Sequence, residues 1–398
     1  MKLLYFLFCY ILSMFVLHGF VVKMDIMLTI YHRTLIPVLF LLLVSIVKKI
    51  KILPIRVRQY NIFPALYLIV LIFLGSLFYE KPDLLGALIG LPMFLLVWIF
   101  SFIYSYDNPT FLKLYEKKLC IATLVLGGIG TLLELRGIFT YNSTRDMDFR
   151  AYYYNFGSFF VAYLIPLCLL FKSKAANFFV AFLAVTLFLT TKRGPLLGLV
   201  GAYLIYITFY EHKFKSLFKY ALGLGIIAIL ICSCFPEYIT LFSERFESND
   251  DISSSRFDIW GVYINYYLSG PLYHQLLGFG KDSYAVDIVD KLIGERYSPH
   301  NSYIMICFWH GLISFILMLL FIFRQFRLLR LKVKEKKYFK VFVIYFLLLI
   351  ICSFYTPGFA DSSYMGLLVY YMLGLLSGTL IRNVVYEKGS SYKNNNLS

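Results

Sequence analysis

The chain predicts an all-α polytopic membrane protein, and three observations carry that prediction. Sixty per cent of its 398 residues are hydrophobic, where soluble domains hold nearer half. Apolar runs of about 17 to 25 residues recur along the whole length, each long enough to cross a bilayer as a helix. The charges segregate: with the N-terminus on the cytoplasmic side, the segments on that side carry 25 of the 38 Lys and Arg residues but only 5 of the 22 acids. The formal +16 is therefore a signature of topology and of attraction to anionic lipid, with no call for nucleic acid as a partner. A transmembrane β-barrel is excluded, because its strands alternate polar and apolar residues in short segments.

About twelve spans are predicted, over 3–22, 27–47, 62–79, 84–105, 119–135, 156–171, 175–190, 195–210, 218–235, 301–323, 340–356 and 363–381. The first follows Met1-Lys2 without a small-residue cleavage site and reads as an uncleaved helix. The second is interrupted by His32 and Arg33. The densest basic stretches, Lys48 to Arg58 and Arg324 to Lys340, fall on the cytoplasmic side, as does a tail over 383–398. Residues 1–398 thus read as a single integral membrane domain with both termini cytoplasmic.

Two segments on the opposite side break a pattern of short connections. One is Phe139 to Asn155. The other is a 65-residue loop, 236–300, between the ninth and tenth spans, with ten acids and five bases. A structureless loop of that length is uncommon, so it is expected to fold. Within it Phe257, Trp260, Ile264 and Tyr267 recur at helical spacing over 253–269, with Ser255 and Asp258 as a capping box. Such an amphipathic helix can rest on a membrane surface or roof the bundle.

Candidate chemistry gathers on this same side. Arg193 lies in Thr190-Thr-Lys192-Arg193-Gly-Pro195, a tight turn whose proline suits the first position of the next helix, beside exposed backbone N–H groups. Arg256 occupies the first turn of the amphipathic helix, where a cation opposes the dipole by about 0.3–1 kcal/mol. An anion between the two arginines accounts for that placement; an interfacial anchor and a solvated charge are the plainer readings. His300 follows Pro299 and directly precedes the tenth span. The positive end of that helix disfavours imidazolium and leaves a neutral ring able to take a proton. Asn301 beside it can orient a hydroxyl or a backbone group. Gly278-Phe-Gly280 is a close-approach turn, next to substrate or at the surface. The loop's aromatics, Trp260 among them, suit sugar stacking or an interfacial belt.

All seven cysteines lie within spans, so no disulfide framework is expected in the loops. Cys232-Ser-Cys234 has no His or acid near it in sequence and reads as packed thiol. Phosphate-binding glycine loops and zinc motifs are absent, and neither metal nor cofactor is expected.

Taken together, Thr191-Lys-Arg193-Gly, Ser255-Arg256-Phe-Asp-Ile-Trp260, Leu277-Gly-Phe-Gly280 and His300-Asn301-Ser-Tyr303, leading to Gly311, resemble the O-antigen ligase and polymerase superfamily of bacterial envelope proteins. His310 departs from the pattern, since that family often has an acid before the glycine, and it receives no role. The resemblance implies a metal-independent, inverting, GT-C-like glycosyltransferase of the inner membrane, with its site at the periplasmic face. Its donor would be an oligosaccharide on undecaprenyl diphosphate. Arg193 and Arg256 would hold the diphosphate and His300 would act on the attacking hydroxyl. Asn301, Tyr303, Gly278, Gly280, Lys192 and Trp260 would contact substrate. The acceptor would be a second lipid-linked repeat unit for a Wzy-type polymerase of O-antigen or capsule, or lipid A core for a ligase. A chain-length regulator protein is a further expected partner. A flippase or polysaccharide exporter is the alternative of another class, but it should line its route with ionisable residues, and here the spans carry charge mainly near their ends.

Overall fold

A computed structural model describes residues 1–20, 24–144, 147–190, 193–211, 223, 225, 233, 254–293, 299–328, 336–354 and 365–395. Those residues form helices and turns, with no strand among them. In chain order the helices are α1 (Lys2–Phe20), α2 (Met24–Lys49), α3 (Ile55–Phe78), α4 (Leu84–Leu88) and α5 (Leu91–Asp107). Helix α6 runs Phe111–Ala122, passes a π-turn over Thr123–Gly127 and continues as Gly128–Thr144. It is followed by α7 (Met147–Cys168), α8 (Lys174–Leu189) and α9 (Arg193–Tyr206), the last extended by a π-turn over Ile207–Glu211. The loop after the ninth predicted span contributes α10 (Ser254–Ser269), α11 (Leu272–Leu277) and α12 (Tyr284–Ile293). Helices α13 (Ser302–Leu328), α14 (Lys336–Cys352) and α15 (Met365–Asn395) complete the described chain.

Among the described residues six helical stretches are long and apolar enough to cross a bilayer: Lys2–Phe20, Ile55–Phe78, Phe111–Gly137, Gly194–Glu211, Ser302–Leu328 and Gly366–Val384. Leu91–Asp107, Gly157–Cys168 and Lys174–Leu189 are shorter apolar helices. The chain is a helical, multi-pass membrane protein. Its predicted ninth span, 218–235, lies largely outside the described residues.

Two expectations change in detail. The span expected over 84–105 is broken into α4 and α5, because Gly90 takes a non-helical conformation and Pro92 occupies the first turn of α5. The span expected to open at 119 begins at Phe111, and a π-turn absorbs the register where Thr123 Oγ1 donates back to the Leu119 carbonyl at 2.8 Å.

The core is built around α5 and α15. Helix α5 is apolar nearly all round, and Trp98, Phe94, Phe100 and Phe102 are fully buried. It accepts α15 at backbone range through Gly374 and Gly378, one turn apart. A Cβ on either would come within 2.4 Å of the carbonyl oxygen of Trp98 or Phe102, respectively. Buried tyrosines find backbone acceptors, Tyr345 on Tyr163 at 2.6 Å and Tyr371 on Leu4 at 3.0 Å.

One end of the bundle is tied by cations. Lys49 pairs with Asp107, Lys337 with Glu116 at 3.1 Å and Lys340 with Glu211 at 3.3 Å, while Arg324 donates to the Tyr60 carbonyl at 2.9 Å. His300 stands at the other end, where α13 begins.

Candidate active site at the opening of helix α13

His300 is half-buried and has φ 48°, the left-handed region that a non-glycine residue enters only when its surroundings hold it there. Two flanking contacts provide the hold. On one side Trp260 Nε1 of α10 donates to the Pro299 carbonyl at 2.5 Å. On the other, Asn301 caps α13: its Oδ1 accepts from the N–H groups of Tyr303 at 3.0 Å and Ile304 at 3.2 Å. Asn301 thus orients the backbone N–H groups that open α13.

The end of α14 anchors the same corner. Ser302 N–H donates to the Ser353 carbonyl at 2.8 Å and Tyr303 O–H to the Ile350 carbonyl at 3.1 Å, with the Tyr303 ring 4.8 Å from that of Phe354. Helix α14 in turn packs on α9, where a Cβ on Gly198 would lie 2.4 Å from Cys352 Sγ. Arg193 opens α9 five residues before Gly198, about 7.5 Å along the axis. Arg256, in the first turn of α10, lies one turn before Trp260 on the same helix face. The first turns of α9, α10 and α13 thus gather at one end of the bundle around the end of α14, and helix N-termini attract anions. The side chains of Arg193 and Arg256, and all of Lys192, lie outside the described residues. Pro195 sits in the first turn of α9, which starts two residues earlier than its proline suggested.

Gly278 and Gly280 serve a backbone junction. Helix α13 is interrupted at Gly311 (φ 81°, ψ 167°), which leaves carbonyls of the preceding turn without their helical partners. The N–H of Phe279 bonds to the Phe308 carbonyl at 2.9 Å, and that of Gly280 to the Trp309 carbonyl at 3.2 Å. Both chains must approach closely. A Cβ on Gly278 (φ 106°) would fall 2.1 Å from the Trp309 oxygen, and one on Gly311 2.2 Å from the Leu276 oxygen. Phe279 is fully buried, stacked between His274 and Phe308 with both ring centroids at 4.9 Å.

The loop from α3 closes the junction from a third side. Glu80 receives the Tyr266 hydroxyl at 2.8 Å and the Tyr284 N–H at 2.9 Å, and its own N–H donates to the Phe279 carbonyl at 3.3 Å. Burial, and after it the hydrogen bond to Glu80, push the Tyr266 phenol up to about 12, so it remains a donor. Beneath them Tyr79 Oη and His310 Nδ1 meet at 2.8 Å in a buried pair. Sequence reasoning missed Tyr79, Glu80 and the role of His310. Their partners lie roughly 190 to 230 residues away in sequence, and no local pattern announces a contact of that range.

No curated protein matches the chain in sequence. The O-antigen ligase family model matches residues 178–319, a segment that holds α9 to α12, the opening of α13, the Gly311 junction and every site residue the sequence proposed. Over that segment the chain is similar to the O-antigen ligase family, which supports the resemblance to the O-antigen ligase and polymerase superfamily.

Proposed function

We propose that the protein is a glycosyltransferase of the inner membrane that polymerises O-antigen or capsule repeat units carried on undecaprenyl diphosphate. The acceptor sugar hydroxyl attacks the anomeric carbon of the donor glycan from the face opposite the diphosphate. The new C–O bond forms as the bond to the diphosphate oxygen breaks, and the configuration inverts. His300 takes the hydroxyl proton. Undecaprenyl diphosphate departs with the electron pair, and Arg193, Arg256 and the first turns of α9 and α10 stabilise its charge. Metal plays no part in this scheme. Trp260 and Asn301 position His300, and Gly278 and Gly280 position the α10–α11 segment.

The observation that carries this reading is His300 itself, held in the left-handed region by contacts on both sides, beside three helix openings, inside the matched segment. A functional constraint gives a reason for such a backbone. Loop 236–300 and the site face the periplasm in this reading, with the termini in the cytoplasm. The second reading, transfer of the finished polysaccharide to lipid A core, draws support from the description of the matched family as O-antigen ligase.

The test is the lipopolysaccharide and capsule gel profile of a strain lacking the gene. Reduction of the ladder to a single repeat on the core is expected, with restoration by the wild-type gene. Loss of all glycan from the core, with polymer retained on the lipid carrier, would move the assignment to the ligase. An unchanged profile would remove both.

A further inference from the structure

Helices α10 and α11 carry an apolar stripe that the described residues leave exposed. Leu268 and Leu272 are 66% and 68% exposed, and Phe257 and Ile264 extend the same stripe up α10. The opposite face of α10 is already used, with Ile259 and Tyr263 buried against the bundle. A polar flank of Asp258, Asn265 and Ser269 lies about a quarter-turn from the stripe.

The height of this stripe can be read from contacts. Arg324 bonds to the Tyr60 carbonyl at 2.9 Å, so those two residues mark one level on α13 and α3. From there Gly311 stands about 20 Å up α13 and Gly75 about 22 Å up α3, at the helical rise. Leu276 and Leu277 press their carbonyls against these two glycines. A hydrocarbon core is about 30 Å thick. With Tyr60 and Arg324 at one boundary, α11 therefore runs about 8–10 Å below the other.

Helix α10 descends to that level beside α13. Trp260 is level with Pro299 at the top, and Tyr263 and Tyr266 meet Phe308 further down. At the height of α11, helix α13 exposes Leu312 and Ile313, and α3 exposes Phe73 and Leu74, apolar residues of helices long enough to span a bilayer. By the same count Ser302 stands about 33 Å above Arg324, which leaves His300 at headgroup height.

We infer that α10 and α11 form a re-entrant hairpin whose Ile264–Leu268–Leu272 stripe is immersed in the acyl chains of the leaflet on the His300 side. Phe257 reaches the headgroup zone above it. The polar flank turns away from lipid. A helix resting flat on the surface would not reach Gly311, so the hairpin is an inserted element of the bundle.

The test uses the full-length protein in phospholipid nanodiscs, where both faces are accessible, and requires no turnover, so it stands or falls apart from the proposed reaction. Leu268→Cys and Leu272→Cys are compared with Tyr284→Cys, an exposed site beside Glu80, over the background of the unsubstituted chain. Expected is rapid labelling of Tyr284→Cys by a charged maleimide and labelling at least tenfold slower at the two leucine sites. A phospholipid with a photoreactive tail group should mark the peptide spanning 264–273. Leucine sites that label as fast as Tyr284→Cys overturn the inference, since the stripe would then face water. Protected sites that cross-link copy to copy on oxidation and take no lipid label overturn it in favour of a second chain.

Discussion

Trp260 and Pro299, 39 residues apart, are joined by a 2.5 Å hydrogen bond from the indole to the backbone carbonyl immediately before His300. The bond links the helix whose first turn holds Arg256 to the residue proposed as the base. In the proposed scheme Trp260 is therefore a positioning residue, whatever stacking it also offers a sugar. Trp260→Phe keeps a ring and removes only the N–H. A net hydrogen bond contributes about 0.5–1.5 kcal/mol, so turnover should fall about 2- to 10-fold with substrate KM little changed. A rise in KM alone, at unchanged kcat, would assign Trp260 to substrate binding.

Asn301 offers a sharper distinction. As the cap of α13 it accepts two backbone N–H groups, and aspartate can accept the same pair. Asn301→Asp should retain both folding and activity, whereas Asn301→Ala should lose about 0.5–2 kcal/mol of stability. Thermal unfolding in detergent, paired with product formation, reads both. A stable but inactive Asn301→Asp would show that its amide donates to substrate.

Tyr79 and His310 form a buried pair whose members depend on each other. Tyr79→Phe leaves the ring of His310 without its 2.8 Å partner and should cost about 1–3 kcal/mol. Replacing both members by apolar side chains removes the stranded group, so Tyr79→Phe with His310→Leu should be less destabilised than the sum of the single variants. Additive losses in that cycle would mean that the hydrogen bond contributes nothing.

The glycine junction predicts opposite outcomes for two identical changes. Gly278→Ala puts a methyl 2.1 Å from the Trp309 oxygen at a backbone angle that L residues rarely adopt, and should prevent recovery of folded protein. Gly261→Ala, on α10, meets nothing within 4 Å and should be neutral or stabilising by about 0.5–1 kcal/mol. Size-exclusion recovery after detergent extraction compares the two directly.

The spanning helices were legible because hydropathy over some twenty residues is a local property, and positive charge marks one end of the bundle. His300 was legible for the same reason, as a polar residue standing directly before an apolar run. The break between α4 and α5 was also written locally, in Gly90-Leu-Pro92, yet it was outweighed by the apolar run around it. What the sequence could not offer was partnership. Gly278 and Gly280 read as a close-approach turn, next to substrate or at the surface, and what they approach is a carbonyl about thirty residues away on a helix broken at Gly311. Tyr79, Glu80 and His310 carried no pattern of their own, since a buried pair is defined only when two distant helices meet. Loop 236–300 was expected to fold, and its described helices do so by packing α10 and α11 on α13, α11 on α3 and α12 on α10, surfaces no local periodicity describes.

The most direct measurement is glycan transfer by purified protein in nanodiscs, with an undecaprenyl-diphosphate-linked oligosaccharide, comparing wild type with His300→Ala and His300→Gln. A positioned base contributes about 10²- to 10⁴-fold, so both variants should lose at least about 100-fold in turnover while eluting as the wild type does. Turnover within about threefold of wild type in either variant would contradict the account, because the proton would then leave the attacking hydroxyl without His300.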